Sequence, residues 1–298
     1  MLAQRPEIMT NIQDFITNSP LPKKIAVDQL LFTEFKCPQE EERSQIWCDN
    51  NFFAHVLTGT TVLKTPNQEY TLKAGDSAFA KKGCVISQGF DDHEFCELLI
   101  FVPDDFIKTV VAKYKIDLSG HKLHRPADNL IPLNSSSLLD TYFQSLIPHF
   151  REAVPPPANL IKLKFEELIL TLLSNNDYQP LGCYFHHVCK QAKPSIAEIM
   201  DTNFFSNLSL EEFARLCARS LSTFKAEFRD IYKESPGKWL LEKRLSYSRF
   251  LLETTDKSIG DICFESGFEN HSHFIRAFRN RYGLPPGKLR AQADLPVQ

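Results

Sequence analysis

The stretch 258–290, SIGDICFESGFENHSHFIRAFRNRYGLPPGKLR, decides how the C-terminal third of the chain is read. Ser258 followed three residues later by Asp261 is the signature of a helix start, because a Ser hydroxyl can accept from the orphan backbone N–H groups of the first turn. After a short turn, Phe274 and Phe278, four residues apart, give the next helix an apolar stripe. The same grammar occurs upstream. Ser209 and Glu212 open a helix at an offset of 49, and Phe224 and Phe228 form the second stripe at an offset of 50. A short helix, a tight turn and a second helix, written twice, predict two helix-turn-helix units. Between them, Ser235-Pro236 starts a long helix through Trp239, Leu245, Leu251 and Leu252 that can join the units rigidly.

If Phe224, Phe228 and Ile231 face the core, the opposite face of the first recognition helix carries Ser222, Lys225 and Arg229. In the second, Phe274, Phe278 and Tyr282 form the stripe, which leaves Ser272, Arg276 and Arg279 outward with His271 at the helix start. Arg reads guanine O6 and N7 bidentately, and Lys, Ser and His can touch bases or phosphates. One such helix alone is most simply the solvated face of a bundle, but two capped copies favour nucleic acid. The net charge of −3 does not advertise this, yet 195–298 holds 15 Lys+Arg against 14 Asp+Glu, and 271–290 holds five basic residues (Arg276, Arg279, Arg281, Lys288, Arg290) and no acid. Charge beyond about 10 Å is screened, so the local strip counts for more than the total.

Outward from this region, 298 residues suggest about two domains, and 43% hydrophobic with 24% charged residues exclude disordered, fibrous and coiled-coil rod classes. No apolar run approaches the ~18 residues of a membrane span. The first twenty residues lack an apolar signal core, which gives the expectation of a cytoplasmic protein whose eight cysteines stay reduced. Residues 25–102 are rich in Phe, Val, Ile, Leu and Thr, with turn signals at Thr58-Gly59-Thr60, Pro66-Asn67, Ala74-Gly75-Asp76 and Lys81-Lys82-Gly83, and predict a small β-barrel or sandwich. From Ser136 the period becomes helical. Leu139, Tyr142, Phe143 and Leu146 form one stripe, Pro155-Pro156-Pro157 interrupts, and Leu160, Leu163, Leu168 and Leu172 lie in a second helix apolar enough to hide a dimer face.

The C-terminal hundred residues resemble the AraC/XylS transcription regulators. The resemblance is carried by Arg244-Leu245, Leu251-Leu252, Ser258-Ile259, Ile262-Cys263, Glu265-Ser266-Gly267-Phe268, Phe274, Phe278-Arg279, Tyr282-Gly283, Pro286 and Arg290. Cys263 stands where the family usually has Ala. The resemblance implies base and backbone contacts at Ser222, Thr223, Lys225 and Ala226 in the first unit and at His271, Ser272, His273, Ile275 and Arg276 in the second. Ser222-Thr223-Phe224-Lys225 is most similar to the subgroup of type III secretion activators. It also implies an N-terminal cupin-like barrel that senses a small effector, binds a regulatory protein or dimerises.

The expected fold class is therefore α+β: a cupin-like regulatory domain at 1–130, a helical connector at 131–193 able to carry dimerisation, and an AraC-type DNA-binding domain at 194–298. The expected function is a sequence-specific regulator, an activator, acting on double-stranded promoter DNA as a homodimer with RNA polymerase as a partner, with no enzyme activity, cofactor or metal. The rival class is a cupin-type binding protein or enzyme with a helical assembly tail. Its metal would need several ligands, but His55 stands alone in Phe52-Phe53-Ala54-His55-Val56 and the expected second-motif His position falls near Ile86. Cys183, His186 and His187 share a helical face, with Cys189 pointing elsewhere, yet Tyr184, Phe185 and Val188 make core packing the simpler account. A bound metal would direct attention to His55, His93 and the Cys183–Cys189 cluster. The aromatics Trp47, Phe52, Phe53, Tyr70, Phe79, Phe90 and Phe95 can either fill a core or line a ligand cavity.

Overall fold

A computed structural model describes residues 10–20, 22–36, 43–65, 68–90, 95–120, 128–174, 178–191 and 193–293, the side chains of 43–45, 84–90 and 292–293 excepted. Pro66, Asn67 and His93 lie outside the described residues, as do the side chains of Ile86 and Phe90. The chain divides into two compact units between Lys193 and Pro194.

The first unit runs β1 (Thr10–Asn11), α1 (Ile12–Asn18), β2 (Lys23–Val27), β3 (Leu30–Lys36), β4 (Arg43–Cys48), β5 (Asn51–Thr58), β6 (Thr60–Lys64), β7 (Glu69–Lys73), β8 (Ser77–Ala80), β9 (Gly83–Phe90), β10 (Cys96–Val102), α2 (Asp104–Lys113), β11 (Leu130–Leu133), α3 (Ser137–Leu146), α4 (Ala158–Leu173) and α5 (Gln179–Lys190). The strands form two sheets, ordered β1-β4-β9-β6-β7 and β11-β8-β5-β10-β3-β2. Each keeps its own edge strands, so the region expected as a cupin-like barrel is, among the described residues, an open pair of sheets and not a closed ring.

The six-stranded sheet is buried on both faces. Along β5, Phe52, Ala54 and Val56 join a core shared with the other sheet, whereas Phe53 joins a larger core built with α2, α3, α4 and α5. In β10, Leu99 and Phe101 belong to the first core and Leu98, Ile100 and Val102 to the second. A strand covered on both sides reads as an unbroken apolar run, and that is why period-two alternation is patchy in the sequence. The aromatic set divides accordingly: Phe52 and Phe95 lie in the inter-sheet core with Tyr70 packed against it, but Phe53 and Phe79 lie in the helix-covered one, so these rings do not share one cavity. The α3 stripe of Leu139, Tyr142, Phe143 and Leu146 is buried, and α4 buries Leu168 and Leu172 while Leu160 and Leu163 stay exposed.

Glu97 is the exception on the inter-sheet face. It pairs across the ladder with Phe35, whose ring lies in the inter-sheet core, and burial pushes its carboxyl from 4.5 up to about 8.

The second unit is all-helical: α6 (Ile196–Asn203), α7 (Leu210–Leu216), α8 (Leu221–Tyr232), α9 (Pro236–Thr254), α10 (Ile259–Glu265), α11 (His271–Tyr282) and α12 (Pro286–Ala293). Six of these helices start on a side-chain cap, from Ser195, Ser209, Ser220, Ser235, Ser258 and Asn270. At Ser209 the capping box closes, with Glu212 reaching back to the cap N–H. At Ser258 the shorter Asp261 accepts from the Ser hydroxyl at 2.7 Å instead. Both α8 and α11 end in a left-handed residue, Lys233 and Gly283, whose N–H bonds Arg229 O and Arg279 O.

One expectation fails here. Ile231 is 53% exposed; Tyr232 takes the inner position, its ring 4.5 Å from that of Phe228, as Tyr282 lies 4.7 Å from Phe278. The stripe thus runs i, i+4, i+8 in both copies, and the offset of 50 that aligns the phenylalanines also aligns the tyrosines.

Tyr232→Ala should therefore cost about 2 kcal/mol and Ile231→Ala less than about 0.5 kcal/mol, read by denaturant unfolding followed through Trp239, whose ring lies 5.2 Å from Tyr232; comparable losses would contradict the packing. For the first unit, a carboxyl whose folded pKa is raised holds its proton where the unfolded chain has released it, so stability falls as pH rises from 4.5 to about 8. Glu97→Gln should flatten that decline and stabilise the unit at pH 8, while leaving it unchanged at pH 4; an unaltered slope in thermal melts across that range would refute it.

Candidate nucleic-acid interface

The interface is assembled by two turns. In the first, Ala218 is left-handed at φ 53°, with its N–H on Arg215 O at 2.8 Å and the Arg219 N–H on Ala214 O at 2.9 Å. In the second, Gly267 is left-handed at φ 80°, with its N–H on Phe264 O at 2.9 Å and the Phe268 N–H on Cys263 O at 3.1 Å. These are the paired bonds of a Schellman turn, repeated at the offset of 49. The recognition helices then begin after Ser220 and Asn270, at the offset of 50, so the second turn carries one extra residue.

Packing fixes which faces remain. Phe224, Phe228, Phe274 and Phe278 are fully buried. Opposite them Ser222, Thr223, Lys225, Ala226 and Arg229 are exposed on α8, and His271, Ser272, His273, Arg276 and Arg279 on α11. Ile275 is half-buried against the core of the second helix-turn-helix, which holds Ile262, Phe274 and Phe278. The Ser220 hydroxyl lies 3.1 Å from that of Ser222 and 2.8 Å from that of Thr223, which orders three hydroxyls on the first turn of α8. His273 leans on the Phe268 ring at 5.9 Å. At the offset of 50, Lys225 corresponds to Ile275 and Ala226 to Arg276, so the long cations stand one position apart on the two helices, while Arg229 and Arg279 coincide.

Ion pairs occupy several other cations of this unit. Arg219 is paired with Glu227 at 2.8 Å, Lys243 with Asp201 at 3.1 Å, Arg249 with Glu253 at 2.7 Å and Arg281 with Glu242 at 2.7 Å. Lys225, Arg229, Arg276 and Arg279 have no ion pair or side-chain hydrogen bond among the described residues. The five-cation strip visible in 271–290 is thus not uniform. An acid from α9 answers Arg281, and the Nε and Nη2 of Arg290 are buried on α12.

The residues weighed as metal ligands are placed differently. His55 is buried, stacked on Phe143 at 4.2 Å with Nδ1 2.9 Å from Ser77 Oγ, and desolvation lowers its pKa against the opposing effect of Asp140 and Asp76. Cys183, His186 and His187 are half-buried on α5, whose Tyr184, Phe185 and Val188 enter the core. Among the described residues no three His, Cys, Asp or Glu side chains converge to hold a metal, and no helix is long and apolar enough to cross a membrane. Burial raises the Cys48 thiol far above its usual range and those of Cys96 and Cys263 to about 11, which leaves them poor nucleophiles.

Comparison with known proteins agrees with this geometry. A helix-turn-helix domain family matches residues 213–292, and the ExsA N-terminal regulatory domain family matches residues 51–184. The thermoregulatory protein LcrF of Yersinia pestis is 30% identical over 238 residues, covering 79% of this chain and 87% of that protein. The virulence regulon transcriptional activator VirF of Yersinia enterocolitica is 30% identical over 237 residues, covering 79% and 87%. The HTH-type transcriptional regulator ExsA of Pseudomonas aeruginosa is 26% identical over 248 residues, covering 80% and 85%. With two helix-turn-helix units joined by one helix, behind an ExsA-type regulatory domain, the chain belongs to the AraC/XylS family of DNA-binding transcription regulators.

Proposed function

We propose that this chain is a transcriptional activator that reads double-stranded promoter DNA with Ser222, Thr223, Lys225 and Arg229 on α8 and with His271, Ser272, His273, Arg276 and Arg279 on α11. The observation that carries the reading is the set of four exposed, unpaired cations, two on each recognition helix of one compact unit. Two such helices held by α9 suit successive major grooves on one face of a duplex, about 34 Å apart. The working division is a regulatory domain at 1–130, helices at 131–193 and a DNA-binding domain at 194–298, in a cytoplasmic protein without catalytic activity.

Regulation falls to the first unit, a cupin-like pair of sheets that takes a small effector or a regulatory protein. Self-association is assigned to α4, whose exposed Leu160 and Leu163 form an apolar edge, and RNA polymerase is the partner of an activator. Dimerisation would raise the effective concentration of a second DNA-binding domain at paired sites.

Lys225→Ala and Arg276→Ala should each weaken binding to a cognate duplex by about 1–3 kcal/mol where the contact is a base edge, and uniformly across sequences where it is a phosphate. Arg281→Ala, whose guanidinium already answers Glu242, should change affinity by less than about 0.5 kcal/mol. Fluorescence anisotropy on cognate and scrambled duplexes checks the order, and wild-type affinity in the first two variants would remove them from the interface. A fragment starting at residue 195 should still bind the same site, more weakly, and sediment as a monomer where the full chain is a dimer; equal stoichiometry of the two species would exclude self-association through the first unit.

A further inference from the structure

The two helix-turn-helix units are tied together twice. The covalent tie is α9, with Trp239 and Leu240 buried toward its start and Leu245, Leu251 and Leu252 in the core of the second unit. The other tie is polar and lies between the loop 204–208, which leads into α7, and the turn 266–270, which leads into α11.

At its centre is Arg244, on α9. Its Nε donates to Phe204 O at 2.8 Å and its Nη2 to Ser206 O at 2.7 Å, so the planar fork spans two carbonyls of the loop that leads into the first helix-turn-helix. That loop is stiff: Asn203 and Ser206 are fully buried, Asn203 donating to Ile199 O at 2.9 Å and Ser206 to Asn203 O at 2.5 Å, and the Phe204 ring lies edge-on to Tyr247 of α9 at 5.5 Å. The second unit closes on the same loop. Gly267 approaches so closely that a Cβ there would overlap the Phe205 carbonyl and stand 3.1 Å from Arg244 Nε. Finally, the Asn207 amide donates to the Glu269 carboxylate; desolvation lowers the Arg244 guanidinium to about 10, and Glu269 lies near enough to oppose that shift. Glu269 lies in the stretch between the Schellman turn and the Asn270 cap, where the second unit is one residue longer than the first.

We infer that Arg244 is a positioning residue, which with Gly267 and the Asn207–Glu269 bond forms a joint that fixes the separation and tilt of the two recognition helices. The inference rests on the reading that both helices engage one duplex. Arg244 touches no DNA in this account. It acts through the turn that aims α11, and the extra residue of that turn supplies the side chain that reaches back to Asn207, in the loop before α7. A Lys at 244 keeps the charge but cannot bridge both carbonyls with a planar fork, and an Ala at 207 removes only a surface bond.

The test uses the full-length protein and a duplex it selects from a random-sequence pool, together with duplexes in which either half of the footprint is scrambled and duplexes with one base pair inserted between the halves. Wild type should prefer the intact duplex over either half; if it does not, the two-helix reading itself fails and the joint falls with it. With that preference established, Arg244→Lys should lose about tenfold on the intact duplex and less than about twofold on each half-site. It should also be less sensitive than wild type to the inserted base pair. Asn207→Ala should shift the same ratios in the same direction by a smaller factor, and carries the test should Arg244→Lys fail to fold by circular dichroism. Equal losses on intact and half-site duplexes, or unchanged spacing dependence in the folded variants, would overturn the proposal.

Discussion

The aromatic seams of the second unit set everything that its polar faces can do. Phe224, Phe228 and Tyr232 on α8, and Phe274, Phe278 and Tyr282 on α11, fix the rotation of each recognition helix about its own axis by burying one stripe. Once that rotation is fixed, the remaining faces follow from helical geometry. The side-chain caps at Ser220 and Asn270 then fix where each helix begins, and so which residues stand in its first turn. A slip of one residue in either would turn a buried Phe outward and an Arg inward, at a cost of several kcal/mol.

The first unit solves a different problem. Its six-stranded sheet is the shared wall of two cores, and the helices of 131–193 belong to one of them: Phe143, Phe165 and Phe185 pack in the same cluster as Phe53 and Phe79. Those helices therefore cannot move far as free connectors without exposing that wall. The buried polar groups along it are partnered with helices as well. Asn51 bonds Asp104 of α2 at 2.8 Å and accepts from Tyr184 of α5 at 2.7 Å, and His55 stacks on Phe143 of α3. An effector or partner that altered the sheet would thus be felt in α2, α3 and α5 through defined bonds.

The helical third was legible because its signals are local. Ser caps, a left-handed glycine and a four-residue aromatic spacing each act within one or two turns, so the sequence states them directly. Ile231 was misplaced for want of one more step, since the repeat offset that aligned the phenylalanines pointed to Tyr232. Arg281 and Arg290 could not be separated from Arg276 and Arg279, because what distinguishes them is an acid on α9 or burial on α12, both tertiary facts. The strands were harder for the opposite reason: a two-faced sheet erases alternation, and nothing local shows that the faces carrying Phe52 and Phe53 are both covered. Arg244 appeared in the sequence only as part of a family pattern, while its partners are backbone carbonyls, which carry no side-chain signal at all.

Charge and rigidity bear on one another. A chain of net charge −3 cannot rely on a general field to hold DNA, and the screening length at physiological salt is about 8 Å, so only cations near the phosphates count. The C-terminal unit answers Arg219, Lys243, Arg249, Lys257 and Arg281 with carboxylates, and leaves Lys225, Arg229, Arg276 and Arg279 without a described ion-pair partner on the two recognition helices. Few released counterions mean a limited non-specific affinity. On the proposed reading that both helices engage one duplex, the remainder has to come from contacts made simultaneously, and simultaneous contact is strong only when the second helix is already where the second groove will be. A flexible link between the two helix-turn-helix motifs would lose that gain to ordering entropy, whereas a helix reinforced by a half-buried guanidinium fork and a glycine-tight turn retains it.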